Sequence, residues 1–494
     1  MSRSELLDWL NQMEKKYPVD AWKIHGMHVW PRIRVLISFH LAKTDSIELV
    51  GQSASQHVSK FKKIFDYLNS FGNNFRYLVR ASKVDYAFLG AFSFRVRYKN
   101  SWINRFFDPV IEELERKGCF CARLEHKSSG TDLQGFPIYQ YSKIFFVEEL
   151  IRTFRVYQKV LSLLRIEEKS NLTRYEAFIG ELIQIPEFTG IEDSLAIPSL
   201  ERDFRVIAAY RSLFQLYLKL LRPKVLFVLC YYSPAVHAAI AAARSIDIPT
   251  VDLQHGPQTG VHPAYSRFRR VPVSGFNILP NIFWVWDQVS EKGLKEWIDQ
   301  QEYHQVYQWG HPWIEYWIKR GMESNKNKND RPTILYSLQP IGDLLEEYVV
   351  SAMQESWQDY LWCLRLHPRQ QHEYDSLNRI LEKFDLLNKV VVDDGLNSPL
   401  PEVLVNTQVH LTRFSGTAIE AAMFSVPTIF LDSLANDIFV ELIKSNLASL
   451  LPRFTKNALL EEIDRVVRVS VLDKQGIHTF LHDYNGIFKK KFQN

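Results

Sequence analysis

A hydroxyl-rich turn between a buried strand and a short helix is the part of this sequence best suited to bind a phosphate. Residues 409–432 read VHLTRFSGTAIEAAMFSVPTIFLD, and Ser415, Gly416 and Thr417 form the predicted turn. The free N–H groups at a helix start favour a bound anion, and glycine lets its oxygens approach closely. The segment therefore predicts a phosphate site, with helix capping by the two hydroxyls as the alternative.

Upstream of this turn, a second predicted strand ends in a basic loop. Residues 360–370 read YLWCLRLHPRQ, so His367 and Arg369 follow the strand, and Pro368 stiffens the loop between them. An imidazole and a guanidinium favour the same anionic ligand, so we expect His367 to contact a phosphate or to protonate a leaving group. A strand-end histidine with a structural role is the alternative.

Two more sites are predicted to bind the nucleoside part of such a ligand. Glu420, one turn into the helix, is placed to bond a ribose hydroxyl, or else only to favour the helix dipole. Asp394 and Gly395 follow the apolar run 390–392 and are expected to contact a base through backbone groups, with a plain turn as the alternative. Together these groups predict a nucleotide-handling domain.

Strand-like and helix-like segments alternate along both halves of the chain, and this alternation must position the groups above. It indicates parallel sheets wrapped by helices, so the predicted fold class is α/β, with two Rossmann-like doubly wound domains. Residues 283–287 look like the last strand of the first unit, and the polar segment 322–332 precedes the first clear strand of the second. We expect domains at residues 1–290 and 291–494.

Length and composition agree with a folded two-domain protein. The chain has 494 residues, 46% hydrophobic and 23% charged, which suits two cores rather than one. A net charge of +4 is too weak to favour nucleic acid as a partner. The four cysteines show no metal-ligand spacing and are expected to be reduced thiols of a cytoplasmic protein.

Two basic, apolar segments bear on membrane contact. No stretch reaches the roughly 18 apolar residues that a membrane span needs. Residues 29–43 and 488–492 nevertheless mix large apolar side chains with lysine or arginine. They indicate peripheral contact with an anionic membrane at the inner face of the cell membrane, with a core-facing helix and a solvated tail as the alternative.

Several of these segments resemble the B-type (GT-B) glycosyltransferases, whose two doubly wound domains face each other across a cleft. Residues 224–256, KVLFVLCYYSPAVHAAIAAARSIDIPTVDLQHG, resemble the end of their N-terminal domain, and residues 308–317, QWGHPWIEYW, look like the linker to their second domain. His367-Pro368 and Ser415-Gly416-Thr417 are similar to the His-Pro and hydroxyl motifs of bacterial sialyltransferases, polysialyltransferases and Kdo transferases, enzymes of capsule polysaccharide and lipopolysaccharide that use CMP-activated acidic sugars. The resemblance makes the first domain the acceptor side and the second the donor side.

The catalytic acid or base is then expected on the first domain, across the cleft from the phosphate site. His255 ends the run TVDLQ, and the near-neutral pKa of an imidazole suits proton transfer or pairing with a negatively charged sugar. The chemistry also asks for a carboxylate, and Glu125 and Asp132 are the candidates. Either carboxylate has loop capping as its alternative role.

Absent motifs narrow the mechanism further. There is no Asp-x-Asp pair to hold a divalent ion on a diphosphate, so we expect no metal and no cofactor. There is also no P-loop, no Gly-x-Gly-x-x-Gly opening either half and no Gly-x-Ser-x-Gly elbow, which disfavours kinases, dehydrogenases and α/β-hydrolases.

The sequence therefore predicts a metal-independent glycosyltransferase. The sugar would be Kdo or a nonulosonic acid such as sialic, pseudaminic or legionaminic acid, moved from a CMP donor to a glycan or lipid-linked glycan of the cell surface. One alternative is a GT-B transferase that uses a nucleoside-diphosphate sugar or a CDP-polyol. Another is a non-catalytic subunit that binds a nucleotide or a sugar.

Overall fold

Two parallel sheets, one in each half of the chain, organise the structure. The computed structural model describes residues 3–44, 83–91, 94–98, 101–126, 139, 144–147, 170–256, 258, 262–323, 331–395, 398–470 and 482–492. The strands of the first half are β1 (Lys23–Ile24), β2 (Met27–His28), β3 (Tyr86–Ala91), β4 (Arg95–Tyr98), β5 (Ser101–Asn104), β6 (Cys121–His126), β7 (Ile144–Phe146), β8 (Val225–Leu229), β9 (Thr250–Leu253), β10 (Ile282–Val285) and β11 (Gln305–Gln308). Those of the second half are β12 (Thr333–Ser337), β13 (Leu361–Arg365), β14 (Val391–Asp393), β15 (Val409–Thr412), β16 (Thr428–Phe430) and β17 (Ala448–Leu450).

Helices follow most strands, as a parallel sheet requires. In the first half they are Arg3–Lys16, Trp30–Thr44, Asp108–Arg116, Tyr175–Leu182, Glu192–Leu195, Ile197–Leu221, Pro234–Arg244, Gln288–Ile298 and Pro312–Glu323. In the second half they are Glu347–Ser356, Tyr374–Lys383, Leu400–Leu404, Thr417–Met423, Ala435–Ile438, Val440–Lys444, Lys456–Ser470 and Tyr484–Phe492. Short 3-10 helices occupy Pro186–Phe188 and Pro368–Glu373.

Each sheet reverses its winding direction at one place. Within the described residues, the first sheet has the strand order β11-β10-β9-β8-β3-β6-β7 and the second has β14-β13-β12-β15-β16-β17, with every pairing parallel. The reversals fall between β3 and β8 and between β12 and β15. In doubly wound sheets, ligands bind outside the carboxyl ends of the strands at such a point. The predicted α/β class with two doubly wound units is confirmed.

Burial follows from this layered arrangement. Strands β3 and β8 are buried along their whole length, because helices cover both faces of a parallel sheet. The first sheet packs its two faces into two large apolar clusters, and the second sheet does the same.

A hairpin of the first half reaches the second half. It consists of β4 and β5, which pair antiparallel. Ile103 of β5 belongs to the same apolar cluster as Leu335 of β12, and the ring of Tyr98 lies 5.1 Å from that of Trp317. The hairpin therefore packs against the helix Pro312–Glu323 and shares an apolar cluster with the second sheet.

The end of the chain returns to the first sheet. In the helix Tyr484–Phe492, the ring of Phe488 lies 4.7 Å from Phe227 in β8 and 5.6 Å from Trp284 in β10. The first sheet itself continues through β11 at residues 305–308. The domain division at residue 290 stays a prediction, and these contacts show which segments complete the first sheet.

The two segments proposed for membrane contact bury most of their large apolar side chains, but Phe39 and the lysines at 489–491 are exposed. Trp30, Ile33 and Ile37 are buried, and the buried Arg34 forms an ion pair with Glu14. Among the described helices, none is long and apolar enough to cross a bilayer. Peripheral contact with an anionic membrane stays a prediction.

Candidate active site between the two sheets

The predicted phosphate turn lies at the carboxyl end of β15, beside the reversal point of the second sheet. Its helix, Thr417–Met423, is only seven residues long, and Gly416 is its N-cap. Ser415 Oγ accepts a hydrogen bond of 3.3 Å from the backbone N–H of Thr417, so this hydroxyl does cap locally. A side chain at exposed Gly416 would meet nothing within 4 Å, so the turn is open to a ligand.

The buried His410 is hydrogen-bonded to this turn. His410 in β15 lies 2.9 Å from Thr428 Oγ1, 3.0 Å from Ser337 Oγ and 3.3 Å from Thr417 Oγ1. Burial lowers the pKa of His410 to about 3, so the ring is neutral at pH 7. It joins three neighbouring strands to the first residue of the helix.

The loop after β13 is tied to the same point of the sheet. The backbone N–H of His367 donates to Gln370 Oε1 at 3.3 Å, and Gln370 Nε2 donates to the carbonyl of Gln339 at 3.0 Å. Gln339 Oε1 in turn accepts from the backbone N–H of Phe414 at 2.9 Å. His367 and the phosphate turn are therefore held around one glutamine. The side chains of Pro368 and Arg369 lie outside what the structure describes, and their roles stay predictions.

The Asp394–Gly395 turn is packed tightly against the end of β13. Gly395 has φ +72°, and a Cβ there would lie 2.5 Å from the carbonyl oxygen of Leu366. Its N–H donates to Asp393 Oδ1 at 2.8 Å, while Arg365 pairs with Asp393 and donates to the Ser398 carbonyl at 2.7 Å. The turn has one fixed conformation, which a plain exposed turn does not need.

An open pocket adjoins this turn. It has a volume of about 600 Å³ and is lined by Gln371, Tyr374 and Asp394, among others. Gln371 Nε2 donates to the carbonyl of Asp394, which fixes that wall of the pocket. A planar base fits such a space, so the contact predicted for Asp394 and Gly395 has room to form.

On the first sheet, His255 lies where β9 ends. Its Nε2 is 3.2 Å from the hydroxyl of Tyr232, and its ring is 5.4 Å from that of Phe94. Its Nδ1 is buried and has no hydrogen-bond partner among the described residues. Burial lowers the pKa of His255 to about 3, and His262 and Arg105 add to this effect. The ring is therefore neutral at pH 7 in the free protein, not half-protonated as its ordinary pKa suggests.

Arg105, at the foot of the hairpin, connects the two sides of the cleft electrostatically. Its charge acts on His255 of the first sheet and on Glu420 of the second. Burial raises the pKa of Glu420, and the charges of Arg105 and Arg365 oppose that rise. His255 and Glu420, predicted from opposite halves of the sequence, are therefore both within electrostatic range of Arg105.

Of the two candidate carboxylates of the first half, the structure describes Glu125 but not Asp132. Glu125 is buried at the end of β6, where its Oε2 accepts from Arg95 Nε at 3.0 Å, and burial raises its pKa. The same network contains Asp108, whose pKa burial raises to about 6, at 3.8 Å from both Arg95 and Arg123. This network anchors the base of the hairpin, and a catalytic role for Glu125 stays a prediction. Asp132 lies outside the described residues.

Sequence reasoning did not select four residues that the structure places at this cleft. They are Arg105, Trp286, His311 and Arg365. Trp286 lies within the predicted strand 283–287 and His311 within the segment 308–317 that resembles a GT-B linker, so their positions near strand ends were the available signal. Among the described residues, no group of three or more histidine, cysteine, aspartate or glutamate side chains is placed to hold a metal ion. Metal independence stays a prediction.

Two doubly wound parallel sheets, joined by a hairpin and presenting polar groups at one cleft, define a two-domain α/β protein of the GT-B arrangement. No protein-family model matches the chain, and no curated protein matches it. Solved structures similar to it include UDP-GlcNAc 2-epimerases from Methanocaldococcus jannaschii (12% identity, TM-score 0.47, 83% of this chain and 100% of that one) and Neisseria meningitidis bound to UDP-GlcNAc (13%, 0.48, 83% and 99%). The wall teichoic acid polymerase TagF, soaked with CDPG, is also similar (8%, 0.42, 89% and 99%). With every one of these TM-scores below 0.5, the likeness does not bear on function.

Proposed function

We propose that this protein is a glycosyltransferase that moves an acidic sugar, Kdo or a nonulosonic acid, from a CMP donor to a cell-surface glycan. One observation carries the proposal: the charge of Arg105 acts both on His255 of the first sheet and on Glu420 of the second. A transferase needs a donor seat and an acceptor-side base within reach of the same reacting atom.

The donor seat consists of the strand ends of the second sheet. Ser415, Gly416 and Thr417 would bind the phosphate, Glu420 a ribose hydroxyl, and Asp394 with Gly395 the base. His367 and Arg369 would stabilise charge on the leaving nucleotide, which supplies the electrostatic part of catalysis without a metal.

On the acceptor side, neutral His255 is the general base. The proposed role takes the tautomer in which Nε2–H donates to the hydroxyl oxygen of Tyr232, 3.2 Å away, which fixes the ring orientation. Nδ1 then carries the lone pair and lacks a partner among the described residues, so it can accept a proton from an acceptor hydroxyl. A positively charged Arg105 nearby suits a donor sugar that carries a carboxylate.

A thermal-shift panel of CMP, UDP, GDP and CDP tests the donor. A ligand that binds only the native state raises the melting temperature, so CMP should stabilise the chain more than UDP or GDP does. Stabilisation by UDP or CDP and none by CMP would favour a nucleoside-diphosphate sugar or a CDP-polyol instead. His367→Ala should cut transfer by about 10²-fold, and unchanged turnover would remove it from the mechanism.

A further inference from the structure

Trp286 and His311 form a rigid pair at the carboxyl edge of the first sheet. Trp286 directly follows β10 and His311 lies three residues after β11, and these strands are neighbours. Their rings stack with centroids 4.0 Å apart and planes inclined by 28°. Phe106 stacks against both, at 6.2 Å from Trp286 and 6.0 Å from His311. The three rings therefore hold one another in place.

Two of these rings carry polar atoms that the protein does not satisfy. Trp286 Nε1 and His311 Nδ1 are both buried without a hydrogen-bond partner among the described residues. His311 is 8% exposed, so more than nine-tenths of it is buried. A buried polar atom without a partner costs roughly 1–3 kcal/mol. An indole N–H can only donate, so it needs an oxygen or nitrogen acceptor.

A fixed positive charge lies beside the pair. The Arg105 guanidinium is 4.8 Å from the ring of Phe106, and its charge helps to lower the pKa of His311. In the described part of the chain, no carboxylate lies within ion-pairing distance of Arg105. An arginine that is not exposed and has no carboxylate partner among the described residues is unusual, because desolvating a charge is costly unless it is paired.

We propose that Arg105, Trp286 and His311 form an anion-binding subsite on the first sheet, separate from the phosphate seat of the second sheet. The ligand group is a carboxylate or a phosphate, held by the guanidinium, by the indole N–H and by the N–H of neutral His311. The subsite proposal rests on the proposed function in one respect, which is that substrates bind in the cleft.

The donor chemistry of the subsite favours an anion over a hydroxyl or a cation. Two of the three groups only donate, and arginine is always charged. A carboxylate or phosphate offers several acceptor oxygens, and charge-assisted hydrogen bonds of this kind are about twice as strong as neutral ones. A cation would be repelled by Arg105.

Isothermal titration of the full chain with free Kdo and with inorganic phosphate tests the subsite and separates its two ligands. We expect one or both to bind the wild type. Arg105→Gln should weaken that binding by about 10-fold or more, and Trp286→Phe by about 3- to 10-fold, because it removes only the indole donor. CMP binding should be unchanged in Trp286→Phe, since the predicted CMP seat lies on the other sheet and does not include Trp286.

Trp309→Phe is the matched control, because Trp309 follows β11 but stacks on Tyr307 outside the subsite. It should bind the anions like the wild type. The proposal is overturned if neither anion binds the wild type at about 10 mM, if Arg105→Gln and Trp286→Phe bind normally while folded, or if Trp309→Phe loses as much affinity as they do. Anion binding without binding of any nucleotide would contradict the proposed transferase function and would still support the subsite.

Discussion

At the scale of single residues, His255 shows how position decides protonation. An exposed histidine is half-charged near neutral pH, but burial lowers the pKa of this one to about 3. The ring is therefore neutral at pH 7 and a poor cationic partner for a negative sugar in the free protein. A pKa this low also makes it a weak base, so the proposed general-base role requires that the negative charge of a bound substrate raises the pKa of His255.

Replacing His255 with alanine separates these roles by experiment. We expect His255→Ala to reduce transfer at least about 10²-fold and to leave CMP binding unchanged, because the donor seat is on the other sheet. Transfer assays and nucleotide titrations of the variant check this. His372→Ala, at a side chain 77% exposed, is the control and should behave as wild type. A variant that loses CMP binding and melts early would show His255 to be structural.

A second prediction for a single residue concerns Asp252 and how the stability of the protein depends on pH. Burial in β9 raises its pKa from 3.8 to about 8, against the hydrogen bonds from Tyr265 and the backbone of Tyr231. Between these two pH values, the folded state holds a proton that the unfolded state has lost. The stability that protonated Asp252 contributes is therefore fully present below pH 3.8 and is lost as pH rises through about 8.

Asp252→Asn imitates the neutral acid at every pH. We expect its melting temperature to exceed that of the wild type by roughly 2–4 °C at pH 8, about 1 kcal/mol, and to match it near pH 4. Melting curves across that range decide the matter. A constant offset between the two proteins would show that Asp252 is ionised in the folded state.

At the scale of elements, the turn at Gly395 is the most constrained part of the candidate donor site. We expect Gly395→Ala to destabilise the protein by about 2 kcal/mol or more, because the left-handed backbone and the Leu366 carbonyl both exclude a Cβ. Gly416→Ala is the control, with φ −61° and free space around the added methyl group. Denaturant unfolding should leave that control within about 0.5 kcal/mol of wild type. Equal stability of the two variants would contradict the crowding at Gly395.

The sequence predicts elements well where one run of residues is buried throughout. The runs YAFLGA, VLFVL and TVDL of β3, β8 and β9 are buried at every residue, which is the pattern of a strand inside a parallel sheet. The hairpin β4–β5 is missed because RVRY and SWIN carry too little apolar pattern to stand out. Strand β11 is missed for the same reason, since two of its four residues are exposed.

The candidate site also has one part that the sequence predicts and one part that it does not. Ser415, His367 and Asp394 follow strands of one parallel sheet, whose carboxyl ends must meet, so their proximity could be predicted from chain order. Arg105 acts on Glu420 of the same sheet although it follows the hairpin of the first half, whose Ile103 shares an apolar cluster with Leu335 of β12. Such tertiary packing has no signature in local sequence.

At the scale of the whole molecule, the two halves are joined by more than one passage of the chain. The helix Pro312–Glu323 contacts both the hairpin and the helix Asp108–Arg116, and Lys319 bonds Glu113 at 3.1 Å. Glu315 accepts from the backbone N–H of His482 at 2.9 Å, just before the helix that returns to the first sheet. The cleft is thus bounded by segments of both halves.

Phe488→Ala tests how far the first half depends on that returning helix. Phe488 is fully buried, and truncating it should cost about 3–5 kcal/mol, measured by denaturant unfolding. Hydrogen exchange should locate the loss in β8 and β10. Phe120→Ala, at a ring 68% exposed, should change stability by no more than about 0.5 kcal/mol. Lost protection confined to the second sheet would disprove the dependence.

The return of residues 484–492 to the first sheet also sets an order of events during synthesis. A ribosome makes the first half early, at about 5–20 residues per second, and N-terminal domains commonly fold as they emerge. Here Phe227 and Trp284 stay without their covering helix until residues 484–492 have been made. An incomplete chain therefore exposes an aromatic face of its first sheet for the whole time that the second half is translated. We expect a chaperone to bind that face during this interval.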